Sequence, residues 1–125
     1  IQQLEKMHQL KTGRLIRAPI EASAVISQAT ELELKALINY SENLGLAFQI
    51  RDDILDYVGD VHLLGKNIGS DDINNKSTFV SLYGIETAKN ILKNTTEKAI
   101  DALQCFGSKG EFLSNLAHEM EHRNV

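Results

Sequence analysis

Asp52, Asp53 and Asp56 stand together in F-Q-I-R-D-D-I-L-D, residues 48–56. At roughly 100° per residue on a helix, Asp56 lies about 40° and Asp53 about 100° around the axis from Asp52. The three carboxylates share one arc. Gln49 falls near its middle, and Gly45 lies one turn back. Like charges four residues apart weaken a bare helix, and anions in its C-terminal half oppose the macrodipole. Such a cluster asks for a compensating cation. The plain alternative is a solvated acidic helix end.

Three lysines offer the complementary charge. Lys11-Thr12 precedes Gly13 at an interruption of the helical pattern. An ammonium beside a hydroxyl and freed backbone N–H groups suits a phosphate oxygen. Lys66 follows Gly65, and Lys76 sits in N-N-K-S-T, residues 74–78. Glycine neighbours let backbone approach a ligand closely. Taken singly, each lysine reads as a solvated surface residue. Taken together, Lys11, Lys66, Lys76, Gln49 and the aspartates are what a metal-bridged diphosphate needs. Mg²⁺ on carboxylates keeps some waters and accepts phosphate oxygens as further ligands. The lysines neutralise the remaining charge. His118 and His122 are spaced i,i+4 but lack a third ligand, and His8 and His62 are isolated.

Helices must position these groups. Leu4, Met7 and Leu10 have helical spacing, and a bend or break is expected near Gly13, which costs about 1 kcal/mol in a helix interior. Leu15 to Ser27 resumes the pattern, with Pro19 at a kink or in its first turn. Thr30 is the expected N-cap of a long central helix, with Glu31 and Glu33 in its first turn. Leu34, Leu37, Ile38, Leu44, Phe48, Ile50, Ile54 and Leu55 sustain it to Tyr57. Residues 59–76 hold three glycines and read as a turn-rich loop, longer than most connections. A short helix over 77–83, a helix over 86–106, a turn bracketed by Gly107 and Gly110, and a helix over 111–121 complete the chain. The last is expected to put Phe112, Leu113, Leu116 and Met120 on one side.

Composition agrees with an all-α chain of 125 residues: one proline, no tryptophan and 42% hydrophobic residues, enough for a packed core. The formal net charge of −4 leaves no global basic surface for nucleic acid. No apolar run approaches the ~18 residues of a membrane span. Cys105 is alone, so it forms no internal disulfide and is expected to be buried or half-buried. Its usage suits a reducing cytoplasm. The chain starts within a helical pattern and without methionine, and is expected to be a fragment of a larger polypeptide.

The segment from Phe48 to Asp56 resembles the second aspartate-rich motif of the trans-isoprenyl diphosphate synthases. K-T-G (11–13) resembles their Lys-Thr. L-G-K-N-I-G-S-D (64–71) and N-N-K-S-T-F-V-S-L-Y-G-I-E-T-A-K (74–89) resemble the loop and helix that follow. The likeness is greatest to the bacterial farnesyl diphosphate synthase branch. It covers nearly the whole chain, with four motifs in family order, and matches the C-terminal half of one domain of the isoprenoid synthase helical bundle over residues 1–125. The first aspartate-rich motif has no counterpart here. The resemblance implies Mg²⁺-dependent prenyl transfer from dimethylallyl or geranyl diphosphate to isopentenyl diphosphate, giving farnesyl or geranylgeranyl diphosphate. It also implies a homodimer of the intact enzyme. Asp52 and Asp56 would be direct Mg²⁺ ligands, and Asp53 a ligand or an orienter of bound water. Lys11 and Lys66 would clamp the allylic diphosphate, with Lys76 closing over it. Thr12 and Gln49 would steady the developing cation. Phe48 would belong to the core or the second substrate's surroundings. The alternatives are a terpene synthase and a non-catalytic helical subunit of a heteromeric prenyltransferase. Relatives often end in Arg-Asn or Arg-Asp and a basic residue, whereas Val125 follows Arg123-Asn124 here.

Overall fold

The computed structural model describes residues 2–64 and 77–125, and all regular structure among them is helical. Helix α1 (Gln2–His8) passes into a π-helical turn (Gln9–Gly13) and then α2 (Arg14–Ile26). The expected break at Gly13 is therefore a widened turn within a continued helical run. Single π turns admit one extra residue and occur often at functional sites. Pro19 lies inside α2, beyond its first turn. Gln28 closes that helix in the left-handed region at φ 57°, with Ala29 N–H donating to Ala24 O at 3.0 Å.

Helix α3 (Glu31–Leu64) is the axis of the fold. It starts on a capping box. Glu33 N–H donates to Thr30 Oγ1 at 3.2 Å, and Thr30 N–H to Glu33 Oε2 at 2.8 Å. The sequence expectation ended this helix near Tyr57, but it continues through Gly59 to Leu64. One exposed glycine costs only about 1 kcal/mol and does not by itself stop propagation. The aspartates consequently lie within the helix, not at its end.

Helix α4 (Phe79–Tyr83) begins on a second capping box, between Thr78 and Ser81. Helix α5 (Ile85–Asp101) stops five residues before the expected Phe106. A 3-10 segment (Gln104–Gly110) follows, bent at Gly107 with φ 55°, and leads into α6 (Glu111–His122).

Two clusters hold these helices on α3. Tyr40 and Leu44 pack with Ala99, Leu103 and Ala117, and Ile16 and Ile20 of α2 close over them. One α3 stretch further on, Ala47, Ile50 and Ile54 pack with Phe79, Val80, Ala88 and Leu92. The α3 positions 40, 44, 47, 50 and 54 advance by three or four residues, so one stripe serves both clusters. Burying each large aliphatic side chain stabilises by about 1.5–3 kcal/mol. Buried hydroxyls are satisfied: Tyr40 Oη donates to Leu113 O at 2.8 Å, and Thr96 Oγ1 to Leu92 O at 3.0 Å.

Two expectations fail at the surface, those for Phe112 and Cys105. Phe112 is 75% exposed, because the inward stripe of α6 is Leu113, Leu116, Ala117 and Met120. Phe112 lies about 90° from the centre of that stripe. Leu15 and Val25 face outward on α2. Cys105 is exposed on the 3-10 segment.

Candidate functional site

The close approach of α3 to the π turn builds the site. A Cβ placed on Gly45 would lie 3.0 Å from the Gly13 Cα, so a side chain at this crossing would press the two backbones apart. One helical turn along α3, Gln49 Nε2 donates to Thr12 Oγ1 at 2.7 Å. Both residues are half-buried. This bond fixes the Lys-Thr segment beside the α3 face that carries Gln49, Asp52, Asp53 and Asp56. Lys11 belongs to the π turn by its backbone. Its side chain, Lys66 and Lys76 lie outside the described residues.

The three carboxylates have different surroundings. Asp53 is half-buried, and its Oδ2 accepts the Phe79 N–H at 3.0 Å. That N–H is one of the donors a helix start leaves unpaired, so Asp53 ties α4 to α3. Asp56 is exposed. Asp52 is half-buried and pairs through Oδ1 with Nη2 of Arg123, 71 residues further along the chain.

The position of Arg123 was not legible from the sequence. The residue follows α6, and its backbone turns out of the helix at φ −59°, ψ 145°. Arg51 Nε donates to the Arg123 carbonyl at 2.8 Å. The Arg123 guanidinium lies 4.4 Å from the centre of the Phe48 ring, a cation–π distance. Phe48 is therefore half-buried under a cation, not a core residue. Burial first, and the Arg123 charge second, lower the Arg51 pKa from its ordinary value. Arg123 Nε is buried without a hydrogen-bond partner among the described residues. An orphaned donor of this kind costs about 1–3 kcal/mol.

The donor chemistry fits a hard divalent cation. Asp52 already faces a positive group, and Asp56 stands one turn further along the same arc. Among the described residues no three His, Cys, Asp or Glu side chains converge into a self-sufficient metal cage. Mg²⁺ needs no such cage, since it binds through one or two carboxylates plus waters and phosphate oxygens. His118 and His122 are exposed, and their spacing meets no third ligand among the described residues. No described helix is long and apolar enough to cross a membrane.

The chain belongs to the polyprenyl synthetase family, which it matches over residues 1–109. It is 39% identical over 124 residues to the farnesyl diphosphate synthase of Micrococcus luteus, covering 99% of this chain and 43% of that protein. Against the farnesyl diphosphate synthase of Escherichia coli (strain K12) it is 41% identical over 102 residues, 81% of this chain and 34% of the relative. Against the geranylgeranyl diphosphate synthase of Cyanophora paradoxa it is 33% identical over 124 residues, 99% and 41% respectively. The chain thus spans less than half the length of these relatives.

Proposed function

We propose that the intact protein is a short-chain prenyltransferase. It transfers the prenyl group of dimethylallyl or geranyl diphosphate to isopentenyl diphosphate, with Mg²⁺, and forms farnesyl or geranylgeranyl diphosphate. The single observation that carries this reading is the Gln49–Thr12 hydrogen bond of 2.7 Å, which sets the Lys-Thr segment against the aspartate-bearing face of α3. The likeness to farnesyl and geranylgeranyl diphosphate synthases supports the substrate class.

Asp52 and Asp56 would hold Mg²⁺ by their carboxylates, while Asp53, which accepts from the first residue of α4, would orient bound water. Bound Mg²⁺ supplies Lewis-acid stabilisation of charge growing on the departing diphosphate, worth several kcal/mol in the transition state. Lys11, Lys66 and Lys76 bind the diphosphate oxygens. The Thr12 hydroxyl and Gln49 amide present oxygen dipoles to the carbon that becomes positive. Gln49 has its NH₂ committed to Thr12, which leaves its carbonyl oxygen free to face that carbon. The intact enzyme works as a homodimer in the cytoplasm, where an exposed unpaired thiol such as Cys105 persists.

The test is turnover of labelled isopentenyl diphosphate by the intact protein carrying Asp52→Ala. A loss of at least about a hundredfold is expected if the carboxylate contributes a few kcal/mol. Unchanged turnover would overturn the assignment. Incubation with farnesyl diphosphate alone should yield no hydrocarbon; a cyclic terpene product would identify a terpene synthase instead.

A further inference from the structure

We propose that Arg123 is a built-in counter-cation for Asp52, and that a divalent ion arriving at this carboxylate displaces it and releases residues 123–125. The proposal rests on the assignment of Asp52 as a metal ligand, and adds a competitor supplied by the chain itself.

Four observations carry it. First, the guanidinium is paired with the carboxylate that the metal would use, through Oδ1 of Asp52. A guanidinium and a metal ion are both positive, and they compete for the charge of the same carboxylate. Second, the rest of the grip is assembled from weak contacts: the Phe48 ring at 4.4 Å, and one hydrogen bond from Arg51 to the Arg123 carbonyl at 2.8 Å. Third, Arg123 Nε is buried without an acceptor among the described residues, so the docked guanidinium leaves a donor unsatisfied that solvent would satisfy. Fourth, the segment lies outside the helix, beyond the end of α6. The remaining Arg123 contact is internal, from Nη1 to the Val125 carbonyl at 2.8 Å. That last bond can travel with the segment.

The chemistry is an exchange of cations on one carboxylate, with no bond made or broken covalently. In the metal-free chain, Arg123 offsets the repulsion between Asp52 and its acidic neighbours. When the metal arrives it takes over that work. Phe48 then loses its covering cation, and its ring face opens towards the site. The last three residues thereby report whether the acidic face is occupied.

The experiment uses the intact protein with Mg²⁺ and inorganic diphosphate as the probe. The Arg123 Nε–Hε signal is followed by ¹H–¹⁵N NMR and assigned with Arg123→Lys, while calorimetry measures metal binding. Saturating Mg²⁺ should move that signal to the position of a solvated arginine. Asp52→Asn, which keeps the shape but removes the charge, should give the released position with no metal added. Arg123→Gln should bind Mg²⁺ about fivefold more tightly, as expected when a partly exposed ion pair no longer competes. If Mg²⁺ binds through Asp52 while the Arg123 signal stays put, displacement is overturned and the metal assignment stands. If no Mg²⁺ binds, yet Asp52→Asn still frees Arg123, the metal assignment fails together with displacement. If Asp52→Asn leaves the signal unmoved, Phe48 and Arg51 hold the segment, and the counter-cation role is overturned.

Discussion

At the residue scale, the arc of Gln49, Asp52, Asp53 and Asp56 was legible because helical spacing alone puts these side chains on one face. Their inequality was not. It arises from contacts far apart in sequence: Asp53 with Phe79 and Asp52 with Arg123. No local pattern encodes such pairs. The Gln49–Thr12 bond likewise has no local signature, although the chemistry of both residues is plain in the sequence. A double-mutant cycle with Gln49→Ala and Thr12→Val tests it. Urea unfolding should give a coupling of about 0.5–1.5 kcal/mol, the usual net worth of such a bond. Zero coupling would mean the pair does not hold the π turn to α3.

At the element scale, the caps and stripes were readable and the ends were not. Thr30 and Glu33 announced the start of α3, because the capping box is a local device. Gly59 reads as a stop, yet the helix passes through it. Glycine lowers helix stability without forbidding it, and the strength of α3 lies in the two clusters it joins. Two glycines of this one helix should therefore respond oppositely to alanine. Gly59→Ala meets nothing within 4 Å among the described residues, so it should stabilise by up to about 1 kcal/mol. Gly45→Ala would press on Gly13 backbone, where overpacking of about 1–3 kcal/mol exceeds the propensity gain, and should destabilise. Thermal unfolding of the two variants checks both signs. Tyr40 joins α3 to α6 and carries a pH signature. Burial raises its phenol pKa from 10.0 to about 12. Below pH 10 the neutral phenol is retained in both states and its contribution is fully present. Between pH 10 and about 12 the unfolded chain loses the proton while the folded one keeps it, so stability falls as pH rises. Tyr40→Phe should destabilise by about 1 kcal/mol at pH 7 through loss of the bond to Leu113. It should also flatten the decline of stability across that alkaline window.

At the scale of the whole molecule, the all-α class followed from low proline, helical periodicity and the absence of a strand pattern. The outward Leu15, Val25, Ile26 and Leu32 did not follow, because periodicity marks an apolar face without stating what covers it. The chain spans 43% of its Micrococcus luteus relative. Prenyl transfer by these 125 residues alone should be undetectable with dimethylallyl and isopentenyl diphosphates. Robust turnover would show that a single acidic helix suffices.

The most direct test concerns the metal-bridged diphosphate itself. The dissociation constant of inorganic diphosphate is measured with and without saturating Mg²⁺, on the native chain and on Asp52→Asn. Mg²⁺ should tighten diphosphate binding at least about tenfold in the native chain, a coupling of about 1.4 kcal/mol, and should leave the variant nearly unaffected. Equal affinity with and without Mg²⁺ in the native chain, or the same enhancement in Asp52→Asn, would contradict a metal held on this face of α3.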